Sequence, residues 1–143
     1  MNNLILSYLY IADQQIQNKS LMVTLTKAEE RIMKILWEIG EGFIKDIIEG
    51  FPNPKPPYNS VSTIVRVLVQ KNIVGFTAYG NTHKYHPQIT REEYSKSQLS
   101  RLLTDYYNNS LREVVNFFSE NKNLDEKELD EVMKMLKQLK SKK

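Results

Sequence analysis

The chain of 143 residues contains no cysteine, and this absence excludes both disulfide bonds and metal sites with thiolate ligands. Nothing in the composition indicates an oxidising compartment, so we expect the protein to act in the cytoplasm. The sequence also lacks a glycine-rich phosphate loop and a histidine–carboxylate cluster at the spacing of a metal site. We therefore expect neither an enzymatic activity nor a cofactor nor a bound metal.

Long hydrophobic runs are missing as well. The most apolar segment, residues 4–12 (LILSYLYIA), is much shorter than the roughly 20 residues that cross a bilayer. It has neither a positively charged segment before it nor an obvious small-residue cleavage site after it, as a secretory signal would. We interpret residues 1–22 as an N-terminal extension.

Acidic residues are absent from one long internal stretch. The net charge of +3 indicates little by itself, but residues 50–90 contain no Asp or Glu. A segment without acids between flanks of mixed charge is suited to approach a polyanion. The basic and histidine residues of this stretch are Lys55, Arg66, Lys71, His83, Lys84 and His86.

Three helices are predicted ahead of this stretch and within it. Thr26 and Glu29 have the spacing of a capping box that starts the first helix, and Gly40 ends its apolar repeat, which includes Ala28 and Ile39. A short second helix follows and must stop at the proline-rich segment PNPKPP.

The third predicted helix takes Asn59 as its N-cap and extends to about residue 71. One of its faces is apolar, and the other carries Asn, Ser, Thr, Gln and one Arg but no acid. A solvated helix face usually mixes Glu with Lys, so this composition favours contacts with base edges and phosphates over a merely polar face.

Two short extended runs around Gly80-Asn81 predict a β-hairpin after the third helix. The order of three helices and a hairpin is that of a winged helix-turn-helix, whose third helix enters the major groove of DNA. His83 and His86 fall on opposite faces of one strand, and we interpret them as wing or surface residues and not as metal ligands.

Nine residues are predicted to contact DNA. Arg66 is the strongest candidate for a guanine or phosphate contact, and the hydroxyl residues of the third helix face the major groove. Lys71 is a less favoured phosphate contact because it lies far from the helix start. The predicted set is Lys55, Tyr58, Asn59, Ser60, Ser62, Thr63, Arg66, Asn81 and Lys84.

The rest of the chain is predicted to form three amphipathic helices. Because no other sheet or core covers their apolar stripes, we expect them to pair with the same segment of a second chain in a homodimer. Folding back onto the same chain is the alternative. The predicted dimer residues are Leu99, Leu102, Leu103, Tyr106, Leu111, Val114, Val115, Phe118, Leu129, Val132, Met133 and Leu136.

The predicted fold class is therefore mainly α with a small β-hairpin. Its parts are an N-terminal extension (1–22), a winged-helix DNA-binding domain (23–88) and a helical dimerisation region (89–143).

The runs LTKAEERIMKILWEIGEGFIKDI, YNSVSTIVRVLVQKNIVGFTAYGNTHKYHP and SLREVVNFFSENKNLDEKELDEV resemble the penicillinase-repressor (BlaI/MecI-type) transcriptional regulators. The resemblance covers nearly all of residues 23–139. It implies a homodimeric repressor on a palindromic operator, relieved when an activated membrane-bound sensor metallopeptidase leads to cleavage in the dimerisation region. The bond cleaved in the family has a counterpart at Asn116-Phe117, and the alternative interpretation is that Phe117 and Phe118 belong to the dimer core.

The resemblance also has a limit. Copper-responsive relatives carry a cysteine-rich metal site, and the lack of cysteine here excludes a thiolate copper switch. Two further interpretations stay open at this point. One is a winged helix that docks on proteins without binding DNA, and the other is a DNA-binding protein with a small-molecule pocket between wing and tail.

Overall fold

The computed structural model describes residues 23–121 and 125–141, and the predicted N-terminal extension lies outside them. The described chain is mostly helical with a single antiparallel hairpin, which confirms the predicted fold class. Its elements are α1 (Lys27–Ile39), α2 (Ile44–Glu49), α3 (Tyr58–Gln70), β1 (Val74–Tyr79), β2 (Thr82–Pro87), α4 (Arg91–Tyr106), α5 (Leu111–Asn121) and α6 (Glu126–Ser141).

Helix α1 begins at Thr26 and ends at Gly40 as predicted, but only half of the predicted capping box forms, because the Glu29 carboxylate pairs with Lys71 instead of the Thr26 N–H. The Thr26 hydroxyl accepts a hydrogen bond from the backbone N–H of Glu29 at 3.1 Å. Gly40 ends the helix with a positive φ of 82°. Glycine adopts this conformation at little cost in free energy because it has no β-carbon. Ala28 and Ile39 were expected in the core but are exposed, because they lie at the two ends of the helix, beyond the neighbours that cover its middle.

The start of α3 differs from the prediction. The helix begins at Tyr58 with Pro57 in the N-cap position, so the prediction of Asn59 as N-cap is wrong. Pro57 is held in extended backbone (φ −62°, ψ 146°), which brings the chain into the helix earlier than Asn59 would. Asn59 lies in the first turn instead, where its carbonyl accepts a hydrogen bond from the Thr63 hydroxyl at 2.8 Å.

The hairpin pairs in a single register, with Phe76 opposite Tyr85 and Ala78 opposite His83. Side chains alternate along a strand, so one face carries Phe76, His83 and Tyr85. His86 lies on the other face, as predicted. Gly42, between α1 and α2, joins β2 through two backbone hydrogen bonds with Tyr85, of 2.9 and 2.8 Å.

A hydrophobic core ties α1, α2, α3 and the base of the hairpin together. Its fully buried members are Ile32, Met33, Leu36, Ile47, Val61, Val65, Leu68, Ile73 and Val74. Trp37 closes one side, where its indole N–H donates to the carbonyl of Ile89 at 2.8 Å and its ring lies 5.6 Å from that of Tyr94. These elements form the winged-helix arrangement that the sequence predicts.

The chain divides into two compact units, the first ending at Leu99 and the second beginning at Ser100. In the second unit, Asn108 and Asn109 both take positive φ (52° and 53°) in the turn that leads into α5. Asn tolerates this conformation better than most residues, which explains why the chain breaks at this pair. No residue of α5 or α6 is buried within the described single chain.

Candidate nucleic-acid interface

A cleft of about 840 Å³ separates the outer face of α3 from the wing. Its walls come from three elements that the core holds in place: the start of α2, the polar face of α3 and the inner face of the hairpin. The lining includes Phe43, Lys45, Tyr58, Asn59, Ser62, Arg66, Phe76, Asn81, Thr82, His83 and Tyr85. This cleft is therefore the concave surface on which the third helix and the wing meet.

The cleft is positively charged. Lys45 and Arg66 line it, and no Asp or Glu belongs to its lining. Within the described residues, neither cation forms an ion pair. Cations without protein partners in a concave surface are free to neutralise an anion that enters it.

Tyr85 occupies the centre of the hairpin wall. Burial raises the pKa of its hydroxyl, the neighbouring Tyr58 raises it further, and the guanidinium of Arg66 lowers it. The phenol therefore stays protonated at neutral pH and can donate a hydrogen bond. Because the backbone of Tyr85 is bonded to Gly42, this donor is held in a fixed position beside α3.

The inner face of the wing is aromatic. The rings of Phe76 and His83 stack in parallel, with centroids 4.2 Å apart and an angle of 6° between the planes. Tyr85 meets both rings at about 6 Å in tilted or edge-on geometry. The cleft therefore offers flat apolar surfaces beside its cations.

The structure brings together five of the nine residues predicted to contact DNA. Those that line the cleft are Tyr58, Asn59, Ser62, Arg66 and Asn81. Ser60 and Thr63 are exposed on α3 but lie outside the cleft.

Lys84, also in the predicted set, does not line the cleft. Its ammonium lies 2.9 Å from a carboxylate oxygen of Glu41, in the loop after α1. The hydrogen bond and the charge of Glu41 raise the pKa of Lys84, so the lysine stays cationic. A phosphate would have to compete with this carboxylate.

Lys55, from the predicted set, and Lys71, the less favoured candidate, both bind other parts of the protein. Lys55 donates hydrogen bonds to the carbonyls of Glu49, at 2.9 Å, and of Phe51, and so caps the end of α2. Lys71 pairs with both carboxylate oxygens of Glu29. Both lysines have structural partners that sequence spacing does not reveal.

Several cleft residues were not predicted to contact DNA. Lys45 follows the first residue of a short helix, and only the fold shows that this turn faces α3. Phe43, Phe76 and Tyr85 read as ordinary apolar residues in the sequence. The alternation of residues along β2 was a usable signal, since it places His83 and Tyr85 on the same face.

The apolar residues predicted to form a dimer are mostly exposed in the single chain. Leu103 and Val114 are half-buried, whereas the other ten are 40% to 76% exposed. Exposed large apolar side chains at this density mark an interaction surface more often than solvent-facing structure.

The Asn116-Phe117 bond lies inside α5. The Phe117 ring lies 6.3 Å from Tyr107 and 5.6 Å from Phe118, and the Phe117 carbonyl accepts a hydrogen bond from the Asn121 side chain at 3.0 Å. The backbone on both sides of this bond is helical. It therefore does not have the extended conformation in which a peptidase binds its substrate.

None of the helices in the described part of the chain is long and apolar enough to cross a membrane. The same residues contain no group of three or more His, Asp or Glu side chains that could hold a metal ion.

Comparison with known proteins places the chain among repressors. A family model described as Penicillinase repressor matches residues 25–138. The penicillinase repressor of Bacillus licheniformis is 24% identical over 124 residues, covering 83% of this chain and 94% of that one.

Solved structures of two regulators are similar at low TM-scores. A CopR repressor matches with a TM-score of 0.40 and 24% identity, covering 47% of this chain and 99% of its own. BpsR of Bordetella bronchiseptica matches with a TM-score of 0.43 and 12% identity, covering 99% and 94%. The family assignment rests on the match over residues 25–138 and not on these two structures.

Proposed function

We propose that this chain, which belongs to the penicillinase repressor family, represses transcription in the cytoplasm by binding a palindromic operator as a homodimer. A member of a repressor family is a transcriptional regulator and not an enzyme. The observation that carries the DNA-binding part is the cleft between α3 and the wing, which Lys45 and Arg66 line and to whose lining no Asp or Glu contributes. The phosphates of one DNA strand would supply the anionic partners that these cations do not have within the described part of the protein.

In this proposal, α3 lies in the major groove. Ser62 and Arg66 face base edges, and Arg66 is the residue with the reach and the paired donors to read guanine. Tyr58, Asn59 and Asn81 contact the sugar-phosphate backbone at the cleft rim, where they fix the register of the protein without reading sequence.

Dimerisation is proposed from the second unit. A single winged helix contacts few phosphates, and a tethered pair gains affinity because the second half binds at a high effective concentration. The exposed apolar stripes of α5 and α6 support pairing with a second copy, since water-exposed stripes of this size are costly in a monomer.

Induction by proteolysis at Asn116-Phe117, by a membrane-bound sensor metallopeptidase, is proposed from family membership and from the position of this bond. A cut there separates α6 from the DNA-binding unit, so the dimer would lose part of its interface. Each half would then bind DNA alone, and operator affinity would fall by the loss of avidity.

The experiment that tests the proposal is a titration of the intact protein against the DNA upstream of its own gene. We expect saturation at one dimer per inverted repeat, a preference over random DNA, and an affinity that falls by orders of magnitude between about 50 and 200 mM salt. Sedimentation of the free protein should give a dimer. A monomer that does not distinguish upstream from random DNA would favour a winged helix that docks on proteins.

A further inference from the structure

The stacked pair Phe76–His83 lies on the wall of the cleft that the proposed function assigns to DNA. His83 is half-buried, and the Phe76 ring on which it lies is 45% exposed. The small angle between the rings, 6°, leaves one face of the imidazole covered by Phe76. This stacking restricts rotation of the His83 ring and places its two nitrogens at the edge of the stack.

The titratable groups that line the cleft with His83 come from α2, α3 and β2. The start of α2 contributes Lys45, α3 contributes Arg66 and the phenol of Tyr58, and β2 contributes the phenol of Tyr85. No carboxylate belongs to this lining.

A bound DNA strand brings anions to a lining that has none of its own. A phosphate beside the stack would attract a proton onto the imidazole, where the face of the Phe76 ring also favours a cation. Imidazole is the side chain that changes charge between about pH 5 and 8. Binding of DNA and binding of one proton should therefore favour each other.

We propose that the Phe76–His83 stack is a phosphate-binding element of the wing that takes up a proton when DNA binds. The inference rests on the proposed DNA binding and adds a contact and a pH dependence to it. Because the DNA complex binds one more proton than the free protein and the free DNA, the affinity for DNA rises as the pH falls through the neutral range and decreases as the pH rises.

The test is a set of anisotropy titrations of a labelled upstream duplex and a labelled random duplex, at fixed salt, between about pH 6 and 8. For the wild-type protein we expect binding that is about threefold to tenfold tighter at the acid end, on both duplexes, since a phosphate contact carries no sequence information. His83→Gln should make the affinity nearly independent of pH. His83→Lys should keep the affinity for DNA, at every pH, near the value that the wild-type protein has at the lowest pH.

His86→Gln is the matched control, because His86 lies on the same strand but on the opposite face. It should keep the wild-type pH dependence. The proposal is overturned if His83→Gln retains that dependence, if His86→Gln abolishes it, or if His83→Lys binds no tighter than His83→Gln at the alkaline end. Failure of the wild-type protein to bind either duplex at any pH would instead overturn the proposed function itself.

Discussion

Lys71 holds Glu29 by both carboxylate oxygens, with its Nζ atom 2.9 and 3.0 Å from them. Glu29 lies in the first turn of α1 and is almost fully buried, whereas Lys71 follows the last residue of α3. The pair therefore joins the start of the first helix to the end of the helix that we assign to the major groove. It limits how far α3 can swing relative to the body of the domain.

Breaking this pair should destabilise the domain. Lys71→Met keeps the aliphatic stem but leaves the Glu29 carboxylate buried without its partner, and we expect a loss of about 1 to 2 kcal/mol in the free energy of unfolding. Urea denaturation measures it. Lys34→Met is the matched control, since Lys34 pairs with Glu30 on the exposed face of the same helix. That loss should stay below about 0.5 kcal/mol, and equal losses for both variants would contradict a special role for Lys71.

Arg66→Ala should weaken operator binding by about 1 to 3 kcal/mol, because it removes the proposed contact with a base. Arg66→Lys separates a base contact from a phosphate contact. A lysine keeps the charge but not the paired donors, so binding to random DNA should be nearly retained while the preference for the operator falls. If both variants bind the operator like the wild-type protein, α3 does not read the groove through Arg66.

Glu41→Gln should strengthen binding to all DNA by a few-fold at low salt. The change frees the ammonium of Lys84 for phosphates and removes a negative charge next to it. Glu30→Gln alters the net charge equally on an exposed helix face and should have little effect. In a double-mutant cycle, most of the gain from Glu41→Gln should disappear when Lys84 is already Gln, which leaves only the part due to the lost negative charge. A gain of undiminished size in that background would mean that Glu41 does not act through Lys84.

Val132→Glu should dissociate the proposed dimer. Val132 belongs to the exposed apolar stripe of α6, and a charge in a paired interface would be left without a partner. Analytical ultracentrifugation should show monomers at concentrations where the wild-type chain is dimeric. Lys134→Glu introduces the same side chain about half a helical turn away and should leave the dimer intact. Identical behaviour of the two variants would place the interface elsewhere.

The Asn116-Phe117 bond should be protected in the dimer. A peptidase needs extended backbone, so α5 must open around this bond before it is cut. We expect limited proteolysis, followed by mass spectrometry, to detect this cut much faster in Val132→Glu than in the wild-type protein. Equal rates in the two proteins would mean that pairing of the tails does not govern access to α5.

The sequence was most informative where structure depends on neighbours along the chain. The Thr26 cap and the end of the helix at Gly40 are local features, and both are present. The prediction of Asn59 as an N-cap was wrong, although it was also based on local sequence. Pro57, two residues earlier, already fixes extended backbone and starts the helix there.

The site was only partly predictable, because long-range pairing decides what each charge does. The polar face of α3 was apparent from its helical spacing, and Arg66 on that face lines the cleft. The partners of Lys84 and Lys71 are 43 and 42 residues away in the chain, so no local pattern marks them. Lys45 was missed for the same reason, since only the packing of α2 against α3 brings it to the cleft.

The two hydrogen bonds between Gly42 and Tyr85 also bear on solubility. A two-stranded ribbon normally exposes the unpaired amides and carbonyls of both outer strands, and such edges invite strand addition by a second molecule. Gly42 occupies the middle of the outer edge of β2, where another chain would have to begin pairing. Pairing between the wings of neighbouring molecules is therefore hindered along β2, and this lowers the tendency of the hairpin to aggregate.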